Sequence, residues 1–130
     1  RTYGYSSEER FKAIKEYIKI VKAENDNGNI AIISTVSHRK ESRFFARKKL
    51  TNFFEINLLC EPKICKKRDY KDIYSNLTRK DNCIPGVTEP YETYAAAEII
   101  LDTGKNSIES SQKIILKNVL NFLSKMSIGV

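Results

Sequence analysis

The chain has 130 residues, 41% of them apolar, enough for one core, which excludes disorder and a multidomain plan as the starting expectation. Its 23 Lys and Arg against 16 Asp and Glu give a net charge of +7, which favours anionic partners without choosing among nucleotides, nucleic acid and acidic membrane faces. The longest apolar stretches, NIAIISTV and AAAEIIL, fall far short of the roughly 20 residues that cross a bilayer, and Arg1 does not open a signal peptide, so no membrane partner is expected.

The elements follow in chain order. Ser6 or Ser7 caps a first helix with Glu8 or Glu9 in its first turn; Phe11, Ile14, Tyr17, Ile18 and Val21 recur at helical spacing, and Gly28 ends it. NIAIISTVS is β-branched and apolar on both faces, which reads as a strand buried in a parallel sheet. A second helix follows over about 40–50. FFEINLLC reads as the next buried strand, EPKICKKRD as a short helix with Pro62 in its first turn, and AEIILDTG as a third strand. A last amphipathic helix starts near Ser107, with Ile108, Ile114, Ile115, Val119, Leu120 and Phe122 on its apolar side.

Strands alternating with helices predict an α/β fold, a three-layer parallel sheet with helices on both faces, and a single domain over 1–130. The stretch from Tyr70 to Tyr94, with Asn82, Pro85, Gly86 and Pro90, is long for a connection and reads as a lid or binding loop. Cys60, Cys65 and Cys83 form no CxxC pair, so neither a disulfide framework nor a zinc site is supported, and reduced thiols in a cytoplasmic protein are expected. With His38 as the single histidine, no metal centre is assigned.

An open α/β sheet binds ligands beyond the carboxyl ends of its strands, which here are SHRKESR, CEPK and DTGK. Ser37 either caps the following helix or, with Arg39, Lys40 and the helix amides, faces a phosphate; His38 reads as a loop residue rather than a base. Arg68, Asp69 and Lys71 belong either to a solvated basic helix or to a charged lid that stacks on a base and neutralises phosphate. IPGVTEPYE is a packed loop or a pocket wall. The chain contains no GxxxxGK(S/T) and no GxGxxG, and no RNP or KH signature that would support a nucleic-acid partner.

Five segments, in order, resemble the adenylylsulfate kinase family of P-loop kinases. YGYSSEER is similar to GFSxEDR, IISTVSHRKESRFFAR to ISPYRxDRxxAR, and FFEINLLCEPKICKKRDYKDIY to FxEVYVxxPLExCxxRDxKGLY. IPGVTEPYE resembles FTGxDxPYE, and AEIILDTGKNSIESS resembles PExxLDTxxxSxEES. In that family the first strand and the phosphate-binding loop precede the position matching Arg1, so the fold is expected to lack both and to carry a lid over about 68–94. The resemblance implies an ATP- and Mg²⁺-dependent phosphotransferase acting on the ribose 3′-hydroxyl of an activated nucleotide, as a homodimer. It implies that Tyr5 stacks on the acceptor base, that Arg10 holds its phosphate-linked group, and that Ser37 lies in the substrate loop. Lys71 matches a catalytic lid position near the phosphates, Arg68 lies over the ATP adenine, and Asp102, Thr103, Gly104 and Lys105 form the loop beside that adenine.

Departures from the family pattern fall mainly on the acceptor side. Ile84 replaces the phenylalanine of an aromatic clamp, Pro85 replaces a threonine, Ala13 an asparagine and His38 a proline, while KGLY has become KDIY. Losing one side of a base stack, worth about 1 to 3 kcal/mol, is enough to change base preference. This leans toward the family branch that phosphorylates cytidine diphosphoramidate in capsule polysaccharide biosynthesis, with the adenylylsulfate kinase of sulfate assimilation as the alternative. A non-catalytic nucleotide-binding module is the competing class.

Overall fold

The computed structural model of the chain describes residues 4, 6–69, 72, 74, 84–93 and 96–126. The described residues hold four helices and two strands, in two compact units, one within 1–53 and 76–93, the other within 54–75 and 94–130.

In the first unit α1 (Ser7–Asp26) starts with a complete capping box: the Glu9 amide donates to Ser6 Oγ at 3.2 Å, and the Glu9 carboxylate reaches back to the Ser6 amide and hydroxyl. The helix stops where the Asn27 amide folds back onto the Ala23 carbonyl and Gly28 takes a φ of +79°, a left-handed turn that a side chain would oppose. Ala13, Ile14, Ile18 and Val21 are its buried stripe, and each fully buried aliphatic side chain contributes roughly 1.5 to 3 kcal/mol. α2 (Lys40–Lys49) packs against α1, with Phe11 and Phe45 meeting edge to face at 5.7 Å.

Residues 29–37, expected to be a buried strand, form no strand among the described residues. Ile32 is 93% exposed and Ile30 68%. The β-branched run supplies propensity, but a strand is defined by its neighbour, and no described strand pairs with this segment. Tyr17, Ile20 and Val21 of α1 and residues 31–34 line an open apolar groove of ≈ 370 Å³.

The second unit is built on a parallel pair, β1 (Ile56–Leu59) and β2 (Ile99–Asp102), in the register Ile56 to Ile99 through Leu59 to Asp102. The ladder runs on at both ends, from the Ile99 amide to the Glu55 carbonyl and from the Thr103 amide to the Leu59 carbonyl at 2.8 Å. α3 (Pro62–Lys67) carries Pro62 in its first turn, as expected. α4 (Ile108–Met126) packs on β2, and Phe122 meets Phe54 at 4.9 Å. Its predicted apolar face is only partly covered: Ile115, Val119 and Phe122 are half-buried, Ile108, Ile114 and Leu120 are exposed, and no side chain of α4 is fully buried.

The architecture is thus mixed α/β with parallel strands and intervening helices, in keeping with the P-loop kinase-like expectation. The sheet of the described residues has two strands rather than three.

Candidate functional site

The described residues singled out by sequence lie in both units, Arg10, Ser37 and Ile84 in the first and Arg68 with Asp102–Lys105 in the second, and each set is built separately. In the first unit Arg10 is half-buried in the first turn of α1, and Ser37 precedes α2. Ser37 does not cap α2: the cap position is Arg39, and the first-turn amide of Lys40 is taken instead by Glu92 Oε2 at 2.7 Å. That helix end, expected to face a phosphate, already holds a carboxylate, which satisfies the same amide and the same dipole.

Around it the 84–92 loop is fastened at two places. Arg43, only 6% exposed, donates from one guanidinium nitrogen to the Ser37 carbonyl and from another to the Glu92 carbonyl, with its Cζ 5.4 Å from the Tyr91 ring centre. The Glu92 amide completes this staple by donating to the His38 carbonyl at 2.9 Å. At the second place the Glu89 carboxylate accepts from Ser7 Oγ at 2.7 Å, from His38 Nε2 at 2.9 Å and from Arg39 Nη2 at 3.0 Å. His38 is therefore the most enclosed side chain described, at 1% exposure, although it sits in a connecting segment. Ile84, 5% exposed, anchors the loop's own turn: its carbonyl accepts from the Val87 and Thr88 amides, and its amide donates to Thr88 Oγ1.

In the second unit Arg68 follows the last turn of α3. Its amide closes the helix on the Ile64 and Cys65 carbonyls, and its guanidinium donates to the Thr103 carbonyl at 3.1 Å. Thr103 in turn gives both its amide and its hydroxyl to the Leu59 carbonyl, at 2.8 and 3.1 Å. Asp102 bends back over the turn: its carboxylate accepts from the Gly104 amide at 2.9 Å and pairs with Lys105 Nζ at 3.2 Å. The Gly104 amide first, and the Lys105 ammonium second, hold the Asp102 carboxyl below its ordinary pKa. A Cβ at Gly104 would stand 2.8 Å from Ile64 Cδ1 and 3.1 Å from the same Asp102 carboxylate, so a larger residue there would displace the ends of those two side chains. So Arg68, Asp102, Thr103, Gly104 and Lys105 are brought together.

Asp69 holds the turn after α3: its carboxylate accepts the Tyr74 amide at 2.8 Å, and its carbonyl accepts the Asp72 amide at 3.1 Å. Beneath it Cys65 donates to the Cys60 carbonyl at 3.9 Å, and both thiols are free. Burial pushes the Cys65 thiol up, and it pushes Tyr74 up to about 12, so both remain protonated at neutral pH. Tyr5, Lys71, Cys83 and about half of the predicted lid lie outside the described residues.

A profile of the family described as "Adenylylsulphate kinase" matches residues 1–102. The chain belongs to the adenylylsulphate kinase family. Its curated relatives include the adenylyl-sulfate kinase of Bacillus pumilus, 31% identical over 121 residues, which covers 89% of this chain and 60% of that protein. The probable adenylyl-sulfate kinase of Archaeoglobus fulgidus is 33% identical over 104 residues, 79% of this chain and 67% of that protein. The cytidine diphosphoramidate kinase of Campylobacter jejuni is 29% identical over 119 residues, 90% of this chain and 69% of that protein. The chain thus spans about three fifths to two thirds of these relatives' lengths.

Set against the family pattern, Asp72 occupies the glycine of KGLY and takes a φ of +52°, the left-handed region where glycine is favoured and aspartate is among the tolerated exceptions. Sequence reasoning missed Arg43, Glu89 and Glu92, which organise the first cluster. The signal was the pair of glutamates in EPYE lying opposite the basic SHRK run, a complementarity visible only once both are known to meet.

Proposed function

We propose that the chain is part of an ATP-dependent phosphotransferase that phosphorylates the ribose 3′-hydroxyl of an activated nucleotide, with Mg²⁺ as the accompanying ion. The family match over residues 1–102 carries this reading. Arg10, Ser37 and Tyr5 are the acceptor-side residues, while Arg68, Lys71 and the Asp102–Lys105 turn serve ATP. The ordered turn from Asp102 to Lys105, bridged to Arg68, supports the second assignment, since it holds a guanidinium beside backbone amides and carbonyls of the kind that read an adenine edge. Transfer needs little covalent chemistry: positioning and neutralisation of charge spread over the γ-phosphoryl oxygens supply the rate. The phosphate-cradling loop that such transfer uses is not among these 130 residues. A cytoplasmic homodimer belongs to the same reading.

For the acceptor we favour cytidine diphosphoramidate over adenylyl sulfate. Ile84 is buried within its own loop and cannot provide the flat surface of the family's phenylalanine, which weakens a two-sided stack on adenine. A smaller pyrimidine depends less on that stack. The test presents the intact protein with Mg-ATP and each acceptor in turn, and measures 3′-phosphorylated product. Turnover of cytidine diphosphoramidate is expected; exclusive turnover of adenylyl sulfate reverses the acceptor choice, and turnover of neither points to a non-catalytic nucleotide-binding module.

A further inference from the structure

The Ser7, His38 and Glu89 side chains converge from three distant parts of the first unit. Ser7 Oγ lies 3.0 Å from His38 Nε2 and 2.7 Å from Glu89 Oε2, and His38 Nε2 lies 2.9 Å from the same oxygen. An ionised carboxylate only accepts, so Nε2 carries the proton and donates to Glu89, and the Ser7 hydroxyl donates to that oxygen as well. This is not a nucleophile relay, because in a relay the hydroxyl and the carboxylate sit on opposite ring nitrogens, whereas here both meet Nε2. Nor does the cluster carry uncompensated charge, since Arg39 Nη2 reaches the carboxylate from its exposed side at 3.0 Å.

What the triangle does is mechanical. The 84–89 turn is closed on itself by the Val87 and Thr88 amides on the Ile84 carbonyl and by the Gly86 amide on the Glu89 carbonyl at 2.7 Å, so it behaves as one piece. That piece is tied through Glu89 to Ser7, three residues before Arg10 in the first turn of α1, and to His38, which adjoins Ser37. We infer that His38 is a positioning residue: its Nε2–H latches the 84–92 loop onto the segment that carries Ser37 and holds Glu89 where the Ser7 hydroxyl ties it to α1, fixing Arg10 and Ser37 relative to the loop wall that an acceptor nucleotide meets. The inference rests on the acceptor-side assignment proposed above, and it deepens that assignment by naming the residue that orders it. The sequence carries its trace, because His38 stands where the family pattern has a proline, which has no side-chain donor.

The test compares His38→Ala with His38→Gln in the intact protein, since the glutamine amide places a donor near Nε2 and alanine does not. His38→Ala is expected to raise the KM for the acceptor about tenfold, the effect of one hydrogen bond to a charged group, with the KM for ATP unchanged and the glutamine variant restoring most of the loss. Amide hydrogen exchange at Glu92 and Lys40, whose bonds join the loop to the 38–40 segment, read on the same variants, is expected to quicken in His38→Ala and to recover in His38→Gln. Unchanged exchange overturns the latch whether or not the protein turns over. Quickened exchange with an unmoved acceptor KM, or with both KM values raised alike, overturns the positioning role. An absence of turnover in the unsubstituted protein defeats the kinase reading and the acceptor role with it, and exchange alone then decides whether the latch exists.

Discussion

The Arg68 guanidinium donates to the Thr103 carbonyl across 3.1 Å, joining the end of α3 to the turn after β2 over 35 residues of sequence. The bond is exposed to water, so as a structural tie it contributes at most about 1 kcal/mol. Its value to the proposed chemistry lies in holding a planar cation over the turn. Arg68→Ala is therefore expected to lower stability by less than about 1 kcal/mol while raising the KM for ATP about tenfold, with the acceptor KM unchanged. Arg68→Lys should recover little of that loss, because an ammonium offers no plane to stack. Steady-state kinetics with each substrate varied in turn decide it; a rise confined to the acceptor KM would contradict the ATP-side assignment.

Asp72 adopts a left-handed φ of +52° in the turn that Asp69 holds. A β-branched residue in that region costs about 1 to 2 kcal/mol relative to glycine, and aspartate costs less because its short polar side chain bonds locally. Asp72→Gly is expected to be neutral or mildly stabilising, and Asp72→Val to destabilise by about 1 to 2 kcal/mol. Urea midpoints of the two variants provide the comparison; equal midpoints would mean that this turn relaxes to an ordinary backbone at no cost.

These positions also show what was legible in advance. α1 was readable in its cap, its terminating glycine and most of its stripe, which are local signals that act within a few residues, although Tyr17 of the expected stripe is exposed and Ala13 is buried in it. The 56–59 and 99–102 strands were readable in their place, since each finds the other, but not in their burial, because Leu58 and Ile100 are exposed. The 29–37 segment had the same β-branched signature, yet it forms no strand among the described residues, because pairing depends on a neighbour that composition cannot supply. The Arg68 and Asp102–Lys105 cluster was reached through ordered motifs. Glu89 and Arg43 were not, since their partners lie 50 and 49 residues away and nothing in the intervening sequence announces the meeting.

The carboxyl groups of Asp102 and Glu9 both sit below their ordinary values of 3.8 and 4.5, Asp102 chiefly through the Gly104 amide and Glu9 chiefly through the Ser6 hydroxyl. A depressed folded-state value means that the unfolded chain binds the proton more readily, so each group's contribution is complete above its ordinary value. It is lost as pH falls through the folded value. Carboxyl-carbon chemical shifts on acid titration should place the Asp102 midpoint below 3.8, and Lys105→Ala should move it upward by removing the second cause. Ser6→Ala should likewise move Glu9 toward 4.5. A midpoint for Asp102 at or above 3.8 would show that the turn's hydrogen bond is not kept in solution.

Arg43 makes the strongest stability prediction, because it is a buried cation whose two donors serve backbone carbonyls on different segments, Ser37 and Glu92. Each hydrogen bond to a charged group contributes about 1.5 to 3 kcal/mol, and truncation also leaves two part-buried carbonyls to find new donors. Arg43→Ala should therefore destabilise the protein by roughly 3 kcal/mol or more. Lysine keeps the charge but not the fork, so it reaches one carbonyl at a time and loses the flat contact with Tyr91, and Arg43→Lys should recover less than half. Tyr91→Leu isolates that contact and should cost about 0.5 to 1 kcal/mol beyond the change in buried area. Chemical denaturation of the three variants measures all of this; an Arg43→Ala loss under about 1 kcal/mol would mean that water replaces the guanidinium without difficulty and that Glu92, through the Lys40 amide, holds the loop alone.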